Sequence, residues 1–115
     1  MALNELEAKR VENAVAAYVK KRRPPPHIRP KLDLGYRLSG QSIELFEIRP
    51  MFQKPSVKQS HSFAKATYVR TRDHWKVFWL RQDLKWHAYQ PHPVVKNIAE
   101  FLSVVEKDEH HCFYG

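Results

Sequence analysis

Residues 63–81 read FAKATYVRTRDHWKVFWLR, two strand-like runs, Phe63–Thr71 and Trp75–Arg81, on either side of Arg72-Asp73. β-Branched and aromatic residues dominate both runs, as a pleated, half-buried surface requires. With Arg72-Asp73 as the turn, Arg70 faces Trp75, Tyr68 faces Val77 and Ala66 faces Trp79. Small alanines opposite large tryptophans give the complementarity that a packed sheet face needs. A four-residue turn, Gln82-Asp83-Leu84-Lys85, then returns Trp86–Gln90 with Ala88 opposite Trp79.

Upstream, Leu32, Leu34, Tyr36 and Leu38 alternate with Asp33, Gly35 and Arg37, the period of a strand with one face buried. Ser39-Gly40 is suited to a two-residue turn into a strand over Ser42–Arg49. Met51–Ser62 is polar and contains a proline, which predicts an exposed, mobile loop. The strands form an antiparallel meander of five.

A helix stands at each end. Asn4 and Glu7 have the spacing of a capping box, and Leu6, Val11, Ala14, Val15, Tyr18 and Val19 make an apolar stripe. Lys20, Lys21, Arg22 and Arg23 close this helix with positive charge at its negative dipole end, and Pro24-Pro25-Pro26 stops it. The triple proline predicts a stiff, extended connector. The second helix begins near Pro93, with Val94, Val95, Ile98, Phe101, Leu102 and Val105 as its stripe. The ending Cys112-Phe113-Tyr114-Gly115 is apolar enough to tuck back onto the body. The fold class is therefore α+β: N-terminal helix, five-stranded antiparallel meander sheet, and C-terminal helix packed on the sheet, in a single domain over residues 1–115.

The chain resembles a bacterial family known as a domain of unknown function, number 3024. The residues that carry the resemblance are Arg22-Arg23-Pro24-Pro25, Phe46-Glu47-Ile48-Arg49-Pro50, Tyr68-Val69-Arg70, Leu84-Lys85-Trp86-His87-Ala88-Tyr89 and Cys112-Phe113-Tyr114-Gly115. They run in order over nearly the whole chain. The resemblance implies a single bacterial domain and brings no activity, cofactor or substrate with it.

Composition excludes several classes. At 43% hydrophobic and 28% charged the chain is of globular type, with no apolar run long enough to span a bilayer. Met1-Ala2-Leu3-Asn4-Glu5 carries an early acid and no apolar h-region, so no signal peptide is expected. One cysteine, Cys112, cannot form an internal disulfide and points to a reducing, cytoplasmic setting. Gly35, Gly40 and Gly115 are the only glycines, so a phosphate-cradling glycine loop is absent. The scattered histidines and Cys112 lack paired ligand spacing, and neither a metal nor another cofactor is expected.

Net charge is +8, placed unevenly: +5 over residues 1–31, +5 over 32–90 and −2 over 91–115. Such a surface attracts polyanions. Two groups of residues fit that role. One is the helix exit, Lys20, Lys21, Arg22 and Arg23. The other is a band in which Arg70, Trp75, Val77, Trp79, Arg81, Trp86 and Ala88 share one sheet face; Lys85, at the strand ends, is a further binding candidate. There rings stack bases and cations hold phosphates. The competing reading makes the tryptophans core, with arginine stems covering them. Glu47, Arg49, Asp83 and His87 at strand ends are the candidates for acid–base chemistry, or else a salt-bridge network. The functional expectation is a non-catalytic binding module with a basic face for nucleic acid or an acidic protein. A protein-interaction or homodimerisation module is the alternative, and a small enzyme the third reading.

Overall fold

A computed structural model describes residues 3–114, so Met1, Ala2 and Gly115, and what the sequence predicts for them, lie outside the described residues. The elements are α1 (Glu5–Arg22), β1 (Asp33–Ser39), β2 (Ser42–Pro50), β3 (Lys58–Val69), β4 (His74–Leu80), β5 (Trp86–Ala88), β6 (Val94–Val95) and α2 (Ile98–Lys107). The sheet is antiparallel in the order β1-β2-β3-β4-β5, with β6 also on β4. The predicted α+β fold and five-strand meander are present, with one short strand more.

The capping box forms as its spacing predicts: Asn4 Oδ1 accepts from Glu7 N at 2.8 Å, and Asn4 N donates to Glu7 Oε1 at 3.0 Å. Val11, Val15 and Val19 are the buried stripe of α1, whereas Leu6 is 61% exposed and lies off it. The proline connector is no extended rod. Ile28 N and Arg29 N both donate to Pro25 O, and Lys31 N and Leu32 N to Ile28 O, so the chain turns compactly there. Proline lacks a donor but keeps its carbonyl, and the carbonyl of Pro25 nucleates the turn.

Three pairings differ from expectation. The β1–β2 hairpin pairs Ser39 with Ser42, so its two-residue turn is Gly40-Gln41. Gly40 has φ +60°, the conformation that the first central position of a type II′ hairpin demands. The β3–β4 hairpin is longer in the loop: Val69 pairs with His74, Tyr68 with Trp75, Ala66 with Val77 and Ala64 with Trp79. This two-residue slip preserves which side chains face the core, so the alanines still sit beside larger residues. The slip at β4–β5 is by one residue: Leu80 pairs with Trp86, Trp79 with His87 and Phe78 with Ala88. One residue reverses the face, and Trp86 therefore lies opposite Trp75 and Trp79 across the sheet.

The cause of that slip is a five-residue turn, in which Leu84 N donates to Arg81 O and Arg81 N to Lys85 O. Leu84 adopts φ +62°, a left-handed conformation that opposes its side chain, and it is 80% exposed. Leu84→Gly is therefore expected to stabilise the protein by about 0.5–1 kcal/mol, read as a rise in the urea midpoint. An unchanged or lower midpoint would show that the leucine carries a compensating contact.

The expected loop over Met51–Ser62 is shorter, because Lys58–Ser62 belong to β3 and only residues 51–57 are loop. Val94-Val95 is the other reassignment. These residues pair with Trp75 and Lys76 on the edge of β4, and α2 starts at Ile98 with Asn97 as its cap. Asn97 Oδ1 accepts from Glu100 N at 2.9 Å.

One cluster forms the core. Val11, Val15 and Val19 of α1 and Ile98, Phe101, Leu102 and Val105 of α2 pack on Ile43, Leu45, Ala64, Ala66, Trp75 and Val77. Both helices thus cover the same sheet face. Phe113 is buried in the same cluster and Tyr114 packs against it, so the tail docks.

Candidate functional site

The face turned away from the helices carries the unexplained chemistry. Across it run Arg37, Glu44, Lys65, Phe78 and Ala88, each directly opposite the next on neighbouring strands. Lys65 Nζ lies 5.0 Å from the ring centroid of Phe78 and 4.8 Å from that of Trp86. A cation between two ring faces is attracted by both quadrupoles. One row along, Phe46 pairs with Gly35, and its ring occupies the space that a side chain at Gly35 would need. A Cβ there would stand 2.6 Å from Phe46 Cε1. Arg37 Cζ lies 5.3 Å from the centroid of Phe46, and Arg37 Nε is 3.5 Å from Glu44 Oε2.

Phe46, Ile48, Phe78, Leu80 and Trp86 are all half-buried, yet none packs against the core cluster. Among them, Phe78 and Trp86 flank Lys65, and Phe46 lies beneath Arg37. The chain supplying β3 also lacks acids: residues 48–72 contain six Lys or Arg and no Asp or Glu. Rings and cations therefore meet on a helix-free surface, the arrangement that stacks bases and neutralises phosphates.

Of the predicted band, Trp86 lies here, together with Ala88. The face predicted for it together with Arg70, Trp75, Val77, Trp79 and Arg81 is the helix-covered one. Trp75 and Val77 are buried there and Trp79 packs against them, so for these residues the core reading holds. Arg70 lies just past β3 and pairs through Nη2 with Glu7 Oε1 of α1 at 2.8 Å. Arg81 lies over Trp79, 5.3 Å from its centroid. Lys85 is exposed in the β4–β5 turn. Sequence reading missed Lys65, Phe78, Phe46 and Arg37. The alternation of Phe78 with Val77 and Trp79 was the available signal, since two adjacent aromatics must point to opposite faces.

The model of the family described as Domain of unknown function (DUF3024) matches residues 3–115. The chain belongs to that family. No curated protein and no solved structure matches it.

In this DUF3024 domain the helix exit is divided. Arg23 makes a bidentate pair with Asp33 at 2.8 and 2.7 Å. Arg22 bridges to Glu106 at 3.4 Å and lies over the Tyr114 ring. Lys20 and Lys21 stand exposed. The candidates for acid–base chemistry form two separate pairs. Arg49 Nη2 donates to Glu47 Oε2 at 3.1 Å on β2, while His87 Nε2 and Asp83 Oδ2 meet at 2.9 Å across the β4–β5 turn. β3 and β4 lie between the pairs in the sheet order. The hydrogen bond to His87 holds Asp83 below the usual carboxylate range. Burial pushes the Cys112 thiol up, away from the thiolate form a nucleophile needs. Among the described residues no three His, Cys, Asp or Glu side chains converge as a metal site, and no helix is long and apolar enough to cross a membrane.

Besides Arg22–Glu106, two ion pairs tie α1 to its neighbours, Glu7–Arg70 and Arg23–Asp33, and they are expected to make the DUF3024 domain sensitive to acid. Glu7 is held below its ordinary 4.5 chiefly by the hydrogen bond from Arg70, and Asp33 below its ordinary 3.8 chiefly by that from Arg23. A carboxylate whose folded value is depressed takes up its proton first in the unfolded chain. Its stabilisation is complete above the unfolded value and is lost as pH falls through the folded one. The melting temperature is thus expected to hold steady down to about pH 5 and to fall below about pH 4, more shallowly in a Glu7→Gln/Asp33→Asn variant. An equally steep acid limb in that variant would contradict this assignment.

Proposed function

We propose that the protein is a non-catalytic module that binds single-stranded nucleic acid on the helix-free face of its sheet. The observation that carries the reading is Lys65 held between Phe78 and Trp86, with Arg37 over Phe46 beside it. Exposed portions of the rings stack bases irrespective of sequence, and the cations meet the phosphates. The +8 charge supports attraction of the polyanion, and the absence of acids from 48 to 72 keeps β3 and its hairpin basic, while Glu44 stands on the face between Arg37 and Lys65. A cytoplasmic setting is the reading that the single, half-buried Cys112 supports.

Titration with single-stranded DNA and RNA at two salt concentrations tests the reading, with intrinsic tryptophan emission and the anisotropy of labelled oligomers as readouts. Saturable binding that weakens steeply with salt is expected, because neutralised phosphates release counterions. No binding at low salt overturns it. The homodimer alternative makes the opposite prediction: the same face is covered by a second copy, and the solution mass is twice 13.7 kDa.

A further inference from the structure

The β2–β3 hairpin outruns the rest of the sheet. Pairing of β2 with β1 ends at Asp33 and Ile48, and pairing of β3 with β4 ends at Ala64 and Trp79. Arg49 and Pro50 with Lys58 and Gln59 therefore continue as a two-stranded ribbon. Its loop is closed by backbone hydrogen bonds, Met51 N to Val57 O at 2.8 Å and Val57 N to Lys54 O at 2.9 Å. At the tip Phe52 is 99% exposed, so its ring contributes nothing to holding the fold. Arg49, Lys54 and Lys58 surround it in sequence, within the stretch that has no acid. Lys58 Nζ also donates to Pro30 O at 2.6 Å, which ties the ribbon to the turn after α1.

A ribbon of two strands is of a size to enter a nucleic-acid groove. Apolar side chains presented at such a surface insert between base steps and unstack them, while flanking cations hold the phosphates on either side. β2 also carries Phe46 and Ile48 of the aromatic face, so the tip and the face lie along one strand.

We infer that the arm tip, Phe52 flanked by Lys54 and Lys58, is a wedge against duplex, and that the preferred ligand is a single strand continuing from a duplex end. This rests on the reading of the sheet face given above.

The test measures anisotropy of the full chain with three labelled ligands: a single strand, a blunt duplex, and that duplex carrying the single strand as an overhang. The overhang ligand is expected to bind tighter than the single strand by roughly fivefold or more. Phe52→Ala, at a position this exposed, leaves the fold intact. It should abolish that gain while single-strand affinity stays within about twofold. A 2-aminopurine at the terminal base pair should brighten on addition of the wild-type protein and not of the variant. Equal affinity for single strand and overhang, or a gain that survives Phe52→Ala, overturns the wedge and leaves the sheet-face reading standing. Failure of all three ligands to bind overturns both. Phe52-dependent binding to phosphatidylserine vesicles in place of the overhang preference assigns the tip to an anionic bilayer and overturns the wedge.

Discussion

Asp108→Ala is expected to lower stability by roughly 3 kcal/mol, seen as a fall in melting temperature of more than about 10 °C. Asp108 is the C-cap of α2, in the left-handed conformation at φ 41°, and is 8% exposed. Its two carboxylate oxygens accept from Phe113 N at 3.0 Å and Tyr114 N at 2.8 Å. Hydrogen bonds to a charged acceptor are about twice as strong as neutral ones, and alanine leaves both donors without a partner. The loss spreads further than the cap. Phe113 packs on the fully buried Tyr89 with ring centroids 4.8 Å apart, and Tyr114 lies 5.0 Å from Phe63. The Tyr114 hydroxyl meets that of Tyr18 at 2.6 Å, and Tyr18 in turn donates to Glu106. The tail thus ties α1, α2 and the sheet together, and Asp108 holds the tail. Thermal denaturation followed by circular dichroism reads the effect. A melting temperature within a few degrees of wild type would mean that the tail docks through its rings alone.

The second large effect is on binding. Trp86→Ala should weaken single-strand affinity by roughly fivefold to a hundredfold, the range that loss of one stacked base produces. It removes one wall of the Lys65 site while the core cluster, to which Trp86 does not belong, stays intact. Anisotropy titration beside a melting curve separates the two contributions. A Lys20→Ala/Lys21→Ala variant is the matched comparison, since those exposed lysines supply long-range charge without touching the sheet face. Its loss should be small and uniform across ligands. Equal losses for the two variants would make binding a matter of charge alone.

Periodicity made the fold class legible. The capped first helix, the alternation along β1 and the paired runs of β3 and β4 each carried a local signal that tertiary packing then obeyed. The valines at 94 and 95 satisfy a helical stripe and a strand edge equally, and only the free edge of β4 decides between them. The spacing from Asn97 to Glu100 was the available signal for the start of α2, and a helix begun near Pro93 passes over it.

The site was less legible, for one reason. Its composition depends on the parity of a turn, and Leu84 in a left-handed conformation lengthens the β4–β5 turn by one residue. That single residue carries Trp86 from the covered face to the bare one, where Lys65 and Phe78 await it. No residue type in Gln82–Lys85 announces the extra position, because the residue at positive φ is a leucine rather than the glycine or asparagine that marks such a site.

The most direct test follows the three indole N–H signals of the ¹⁵N-labelled protein during titration with a short single strand. Trp86 stands on the bare face, while Trp75 and Trp79 lie on the face that the helices cover. The account predicts that the Trp86 signal shifts progressively and saturably while that of Trp75 stays fixed. Shifts confined to Trp75 and Trp79, or to the amides of Lys20–Arg23 with Trp86 unmoved, would contradict it.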